Sequence, residues 1–222
     1  VAFVVMTPVA IAALGTFRAR WGRAAILLLL AASLIPALAT GNRGMLVGVA
    51  VAIAYVLVRM GCRGHLLRVA ALGTVAGTAY FALIATGTLE QILGRQKYSD
   101  STGGRFSLYA ETLEATLKSP LLGYGAPRLE ESIGVSLGTQ GQIWMLMFSY
   151  GFVGLGLFAI FLLSGIFRTW HAAGNTGLWL HSVPVAAAAI AAFYSFDVMQ
   201  LTVVALTLAV LLRARHYGEK LT

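Results

Sequence analysis

Seven long apolar runs, at residues 1–17, 24–40, 44–60, 69–89, 143–167, 178–196 and 198–212, contain no Asp, Glu, Lys or Arg before their last two residues. A helix of 17 residues covers about 25 Å, a little less than a hydrocarbon core of roughly 30 Å, so interfacial residues complete the shorter runs. A lipid-exposed backbone must satisfy its own polar groups, which makes these runs helices. The expected fold is an all-α, polytopic membrane bundle of about seven spans. Composition agrees, since 59% of the 222 residues are hydrophobic and 11% are charged, against about 25% charged in soluble domains. That balance excludes an ordinary soluble enzyme and a disordered chain. The single cysteine, Cys62, excludes a disulfide scaffold.

The net charge of +8 does not indicate nucleic acid, because the basic residues cluster between apolar runs as a topology signal. Arg18, Arg20, Arg23, Arg59, Arg63, Arg68, Arg168, Arg213, Arg215 and Lys220 fall on one side, which the positive-inside rule makes cytoplasmic. The other side holds six basic residues and seven of the eight acids. This reading puts the N-terminus outside in mid-hydrophobic run, as expected of a C-terminal fragment whose upstream helices are missing. It divides the chain into four membrane helices over 1–89, an outer loop over 90–142, and three helices with a short tail over 143–222. Glycine pairs at four-residue spacing, Gly44/Gly48 and Gly73/Gly77, suit close helix approach or reflect the ordinary abundance of glycine in membrane helices.

The outer loop is the one polar region large enough to fold. Phe106, Ala110, Leu113 and Leu117 recur at helical spacing, while Glu111, Glu114 and Lys118 lie opposite. An amphipathic helix near 104–118 is expected, on the membrane surface or over the bundle. Ser119-Pro120 ends it and Gly123-Tyr124-Gly125 makes the following turn.

All four histidines, His65, His171, His181 and His216, are expected at one cytoplasmic end without metal-ligand spacing, so no metal site and no cofactor are expected. On the outer side, Asn42 can cap a helix with Arg43 in its first turn, which suits either a bound anion or lipid headgroups. Arg105 repeats the arrangement behind Gly103-Gly104. Two guanidinium forks on one face suit a diphosphate, to which Arg95 and Lys97 can add. Asp197 and Gln200 match a capping box. Glu111, Glu114, Glu130 and Glu131 are candidate proton acceptors or solvated surface acids.

Several segments occur in an order that resembles the O-antigen ligase and polymerase superfamily of membrane glycosyltransferases. They are Thr40-Gly41-Asn42-Arg43-Gly44, Gly104-Arg105 with Tyr109, Lys118-Ser119-Pro120-Leu121-Leu122-Gly123-Tyr124-Gly125, Gly138-Thr139-Gln140-Gly141-Gln142-Ile143-Trp144, and Ser149-Tyr150-Gly151-Phe152-Val153-Gly154. The resemblance covers about residues 40–210. It implies a bundle of the GT-C type in the bacterial inner membrane that moves an oligosaccharide from a polyprenyl diphosphate to an acceptor hydroxyl on a glycan, lipid or protein, without metal or nucleotide. It further implies that Arg43 and Arg105 hold the diphosphate and that Tyr109 and Tyr124, with Arg95 and Lys97, line the substrate site. Many members carry a histidine where Gln140 stands here, eleven residues before Gly151. A glutamine orients a hydroxyl but takes no proton at neutral pH, which leaves an outer carboxylate, a phosphate oxygen or another chemistry for that step. The rival reading is a transporter or lipid flippase, which usually needs ionisable groups within the helices.

Overall fold

The computed structural model describes residues 2–39, 43–87, 101–130, 135–172, 174–219 and 221, with the backbone alone at 38, 43, 101–105, 130 and 135. The elements in chain order are α1 (Ala2–Thr16), α2 (Arg20–Ala39), α3 (Arg43–Cys62), α4 (Leu66–Ala85), α5 (Ser101–Lys118), β1 (Arg128–Glu130), β2 (Val135–Leu137), α6 (Gln142–Arg168), α7 (Gly174–Ile190) and α8 (Val198–Tyr217). Five helices, α2, α3, α4, α6 and α8, are long and apolar enough to cross a membrane. The runs expected to form two further spans are the shorter helices α1, of 15 residues, and α7, of 17.

The shortest of the C-terminal helices is the axis of the bundle. α7 packs against α1, α3, α6 and α8, and Val183, Ala186, Ala187 and Ile190 bury against Val4, Val5, Ala52, Leu162 and Leu208. Alanines at 186 and 187 present little bulk, so several helices can approach α7 at once, as small residues permit in membrane bundles. Gly48 of α3 belongs to this contact: a Cβ there would stand 2.8 Å from Val4 and 3.1 Å from Ile190. The second glycine pair plays no such part, since Gly73 and Gly77 have nothing within 4 Å. α4 packs along α3 with no buried residue, leaving an apolar surface of the kind a hydrocarbon layer covers.

One end of the bundle is tied by arginine. Helix C-termini leave carbonyls without intrahelical donors, and a cation there also complements the helix dipole. Arg59 donates to Trp170 O with its guanidinium over the Trp170 ring, 4.1 Å from the centroid. Arg63 donates to Ala172 O at 2.7 Å and to Gly174 O at 3.3 Å, and Arg215 donates to Arg168 O. This is the basic end of the bundle.

His181 departs from the sequence expectation. It is not a solvated residue at a helix end but 1% exposed within α7. Its Nε2 donates to Ile166 O at 2.9 Å and its Nδ1 accepts from Tyr55 Oη at 2.5 Å, so both ring nitrogens are occupied. The physical reason is the helix start: α7 begins at Gly174 rather than at the apolar Leu178, which carries His181 two turns into the bundle.

Candidate active site

The opposite end is organised around a break in α6. Gly151 has φ 66° and ψ −172°, outside the helical region, and interrupts the helix. An interruption within an apolar helix leaves backbone groups that must find other partners. The segment after α5 supplies them: Tyr124 N–H donates to Phe148 O at 2.9 Å, Gly125 N–H to Ser149 O at 2.8 Å, and Phe152 N–H donates to Pro120 O at 2.7 Å. The fit is backbone against backbone. A Cβ at Gly123 would lie 2.5 Å from Phe148 O, and one at Gly151 would lie 2.5 Å from Leu121 C and O. Two sequence pieces far apart, 119–125 and 149–154, thus form one interlocked unit.

α5 is held on the first half of α6 by aromatic contacts. Tyr109 stacks on Trp144 at 4.3 Å and 7°. One and a half turns later, Tyr124 Oη donates to Ala115 O at 2.8 Å while its ring stacks on Phe148 at 4.8 Å. Of the two placements left open by the sequence, the apolar stripe does not form the contact face of α5 with the bundle. Thr112 and Thr116 are fully buried, whereas Phe106 is 67% and Leu117 60% exposed. Small threonines allow close packing, and Thr116 returns its hydroxyl to Thr112 O at 2.7 Å, so the stripe is left facing outward. The helix also starts earlier than expected, at Ser101, which places Gly103 and Gly104 inside its first turn and Arg105 fifth in the helix.

The starts of α3 and α6 meet at the turn between α7 and α8. Gly44 N–H donates to Tyr194 Oη at 3.1 Å, and Gln142 N–H donates to Tyr194 O at 3.0 Å. Phe196 N–H donates to Gln142 Oε1 at 2.8 Å and Trp144 Nε1 donates to Ala192 O at 3.0 Å. Asp197 and Gln200 form the expected capping box, with Asp197 N–H on Gln200 Oε1 and Gln200 Nε2 on Asp197 Oδ2, both at 3.1 Å. Sequence reasoning gave Tyr194 no role. Its only sequence signal is an aromatic next to the outer turn, which hydropathy reads as the end of a span.

The model of the O-antigen ligase family (Wzy_C) matches residues 27–159, more than half of the chain, and this stretch includes α3, α5, the hairpin in which β1 pairs antiparallel with β2 and Arg128 stands opposite Leu137, and the break in α6. The chain belongs to the O-antigen ligase family. No curated protein and no solved structure matches it. As an O-antigen ligase family member with several apolar helices, it is a membrane protein of polysaccharide biosynthesis, of the ligase or glycosyltransferase type. The family implies a lipid-linked glycan donor and a glycan acceptor.

Against this family frame, the site residues read from sequence divide into three groups. Arg95 and Lys97, with Thr40 to Asn42 and Glu131, lie outside the described residues, and of Arg43 and Arg105 the backbone is placed, at the first residue of α3 and the fifth of α5. Gln140 is described and committed: its Nε2 donates to Ser136 O at 3.0 Å, and its Oε1 accepts a long bond, 3.4 Å, from Thr112 Oγ1. It therefore ties β2 to α5. Tyr124 has its hydroxyl engaged and its ring in contact with Phe148 and with Arg128, whose guanidinium stands 4.2 Å from the Tyr124 ring centroid and 6.0 Å from that of Phe148. Arg128 is thereby an exposed cation held against an aromatic ring.

Among the described residues, three buried side-chain atoms have no hydrogen-bond partner: Tyr109 Oη, Glu111 Oε2 and Ser149 Oγ. All three belong to α5 or to the turn of α6 just before the break. Of the candidate acids, Glu114 is exposed and pairs with Lys118 at 3.6 Å. Glu111 is the described acid whose carboxylate oxygen is buried and unmatched. No three His, Cys, Asp or Glu side chains come together among the described residues.

Proposed function

We propose that the protein transfers an oligosaccharide or polysaccharide from a polyprenyl diphosphate to an acceptor hydroxyl at the outer face of the cytoplasmic membrane, with no metal. On this reading the chain spans the membrane seven times and residues 90–142 lie outside. Arg43 and Arg105 hold the donor diphosphate, and Arg95 and Lys97 add to the field. The acceptor oxygen attacks the anomeric carbon, the bond from that carbon to the diphosphate oxygen breaks, and polyprenyl diphosphate leaves. Two guanidinium groups on the departing diphosphate stabilise the charge that develops there. The acceptor's proton passes to the Glu111 carboxylate, and Gln140 positions α5 against the hairpin.

The observation that carries the reading is the chain of contacts joining the two arginine-bearing helices. Gly44, next to Arg43, bonds Tyr194; Tyr194 bonds Gln142; and Trp144 of the same turn stacks on Tyr109, one turn beyond Arg105. A transporter reading has less support, because both imidazole nitrogens of His181, the ionisable group buried within α7, are already matched, by Tyr55 Oη and by Ile166 O.

The test is glycan transfer by the purified full-length protein in liposomes. Arg105→Ala should lower the rate by about 30-fold to 1000-fold, as expected for the loss of roughly 2–4 kcal/mol of transition-state stabilisation. Arg105→Lys keeps the charge without the bidentate fork and should lie between. Lys118→Ala removes an exposed cation of the same helix and should change little. Activity should survive a chelator. Wild-type transfer by Arg105→Ala, or activity lost to a chelator and restored by magnesium, contradicts the reading.

A further inference from the structure

At the basic end, between the α3–α4 turn and the α6–α7 turn, lies a cleft of about 460 Å3. Its polar lining is Arg63, His65, Arg68, His171 and Asn175, and no acid lines it among the described residues. Buried Met60 and Leu178 form its apolar floor. Arg63 spends its donors on the carbonyls of Ala172 and Gly174, which orients it but does not neutralise it. The side chains of Arg68, His65 and His171 make no hydrogen bond or ion pair among the described residues, so the cleft concentrates positive charge without a counter-ion. The glycan-transfer site is at the other end and uses none of these residues.

The surroundings say what kind of anion fits. The turn that contributes His65 and Arg68 also carries Leu66 and Leu67, 72% and 88% exposed, and beyond them α4 has no buried residue. A ligand with a phosphate in the cleft could lay hydrocarbon along that face without rearranging the helix. Basic pockets between membrane helices recognise lipid head groups in this way. We propose that the cleft is a binding site for the phosphodiester headgroup of an anionic glycerophospholipid, with Arg63 and Arg68 pairing the phosphate oxygens, Asn175 donating to the headgroup and the acyl chains lying on α4.

The test is saturable binding to the full-length protein in neutral detergent, read by thermal shift and native mass spectrometry, with short-chain phosphatidylglycerol, short-chain phosphatidylcholine and inorganic phosphate as separate probes. Phosphatidylglycerol should raise the melting temperature and appear as a bound adduct, phosphatidylcholine should not, and inorganic phosphate should compete only weakly because it lacks the chains. Arg68→Ala, at an exposed residue, should keep the unliganded melting temperature and weaken phosphatidylglycerol by about tenfold or more. Arg213→Ala, at the same end of the bundle but outside the cleft, should not. Equal binding of the two lipids, or equal loss in both variants, overturns the site. Competition by inorganic phosphate as strong as by the lipid overturns the lipid assignment. Glycan transfer by Arg68→Ala is expected at the wild-type rate, so failure of this inference and failure of the transfer reading are distinguishable.

Discussion

Tyr109 Oη, Glu111 Oε2 and Ser149 Oγ each carry a desolvation cost of about 1–3 kcal/mol that a hydrogen bond would offset. Native proteins keep few such groups, and those they keep call for a reason. On the proposed function that reason is a polar partner that arrives with substrate. Glu111→Gln conserves shape while removing the proton acceptor, so transfer should fall by about 100-fold or more with an unchanged melting temperature. An unchanged rate would remove Glu111 from the mechanism. His181 makes a contrasting residue-scale case, in which every polar atom is matched. His181→Ala leaves Tyr55 Oη and Ile166 O without partners beside a new cavity. It should destabilise the protein by about 2–4 kcal/mol, measured by denaturation in detergent, whereas Tyr55→Phe should cost about 1 kcal/mol.

At the scale of elements, the interrupted helix α6 is the feature on which the candidate site is built. Gly151 holds a backbone conformation with φ 66° that L residues rarely adopt, and a Cβ would meet the Pro120 and Leu121 backbone at 2.5 Å. Strain of roughly 1–3 kcal/mol adds to that clash. Gly151→Ala should therefore separate residues 120–125 from α6 and lower the melting temperature, whereas Gly156→Ala, with open space around it, should leave it unchanged. Equal melting of the two variants would contradict the interlock. Much of this region was legible in the sequence. Helical spacing found α5 to within three residues, and Ser119-Pro120 marked its end. Spacing left open whether the apolar stripe faces the membrane or the bundle, because such a stripe signals burial in protein only when water is the alternative. Beside a membrane, Phe106 and Leu117 can face lipid while threonines pack inward. The break in α6 was not legible from hydropathy, which runs without interruption through Gly151. The start of α7 was misread for a related reason, since Gly174 and Asn175 look like loop residues yet begin the helix that buries His181.

For the whole molecule, the sequence reading of two opposed faces has a structural counterpart in two differently built ends. One is closed by arginines on carbonyls at the end of α6 and in the turn after it; the other gathers the starts of α3 and α6, the α7–α8 turn and α5. Cys62, exposed at the last residue of α3, marks the arginine end. If that end is cytoplasmic, a membrane-impermeant maleimide should leave Cys62 unlabelled in intact cells and label it after permeabilisation; ready labelling of intact cells would invert the orientation. Seven crossings, which keep the α3 start and α5 on a common side, require α1 and α7 to traverse the bilayer within the cover of their neighbours. The burial of most of α7 by α1, α3, α6 and α8 is compatible with that requirement. The central claim is that two helices distant in sequence present their arginines to one diphosphate. A double-mutant cycle on kcat/KM for glycan transfer measures this, with Arg43→Ala, Arg105→Ala and the pair in the full-length protein. Each single change should lower kcat/KM by about 30-fold to 1000-fold, and the pair should lower it far less than the product of the two. Losses that multiply, or a wild-type rate in either single variant, would contradict a shared diphosphate.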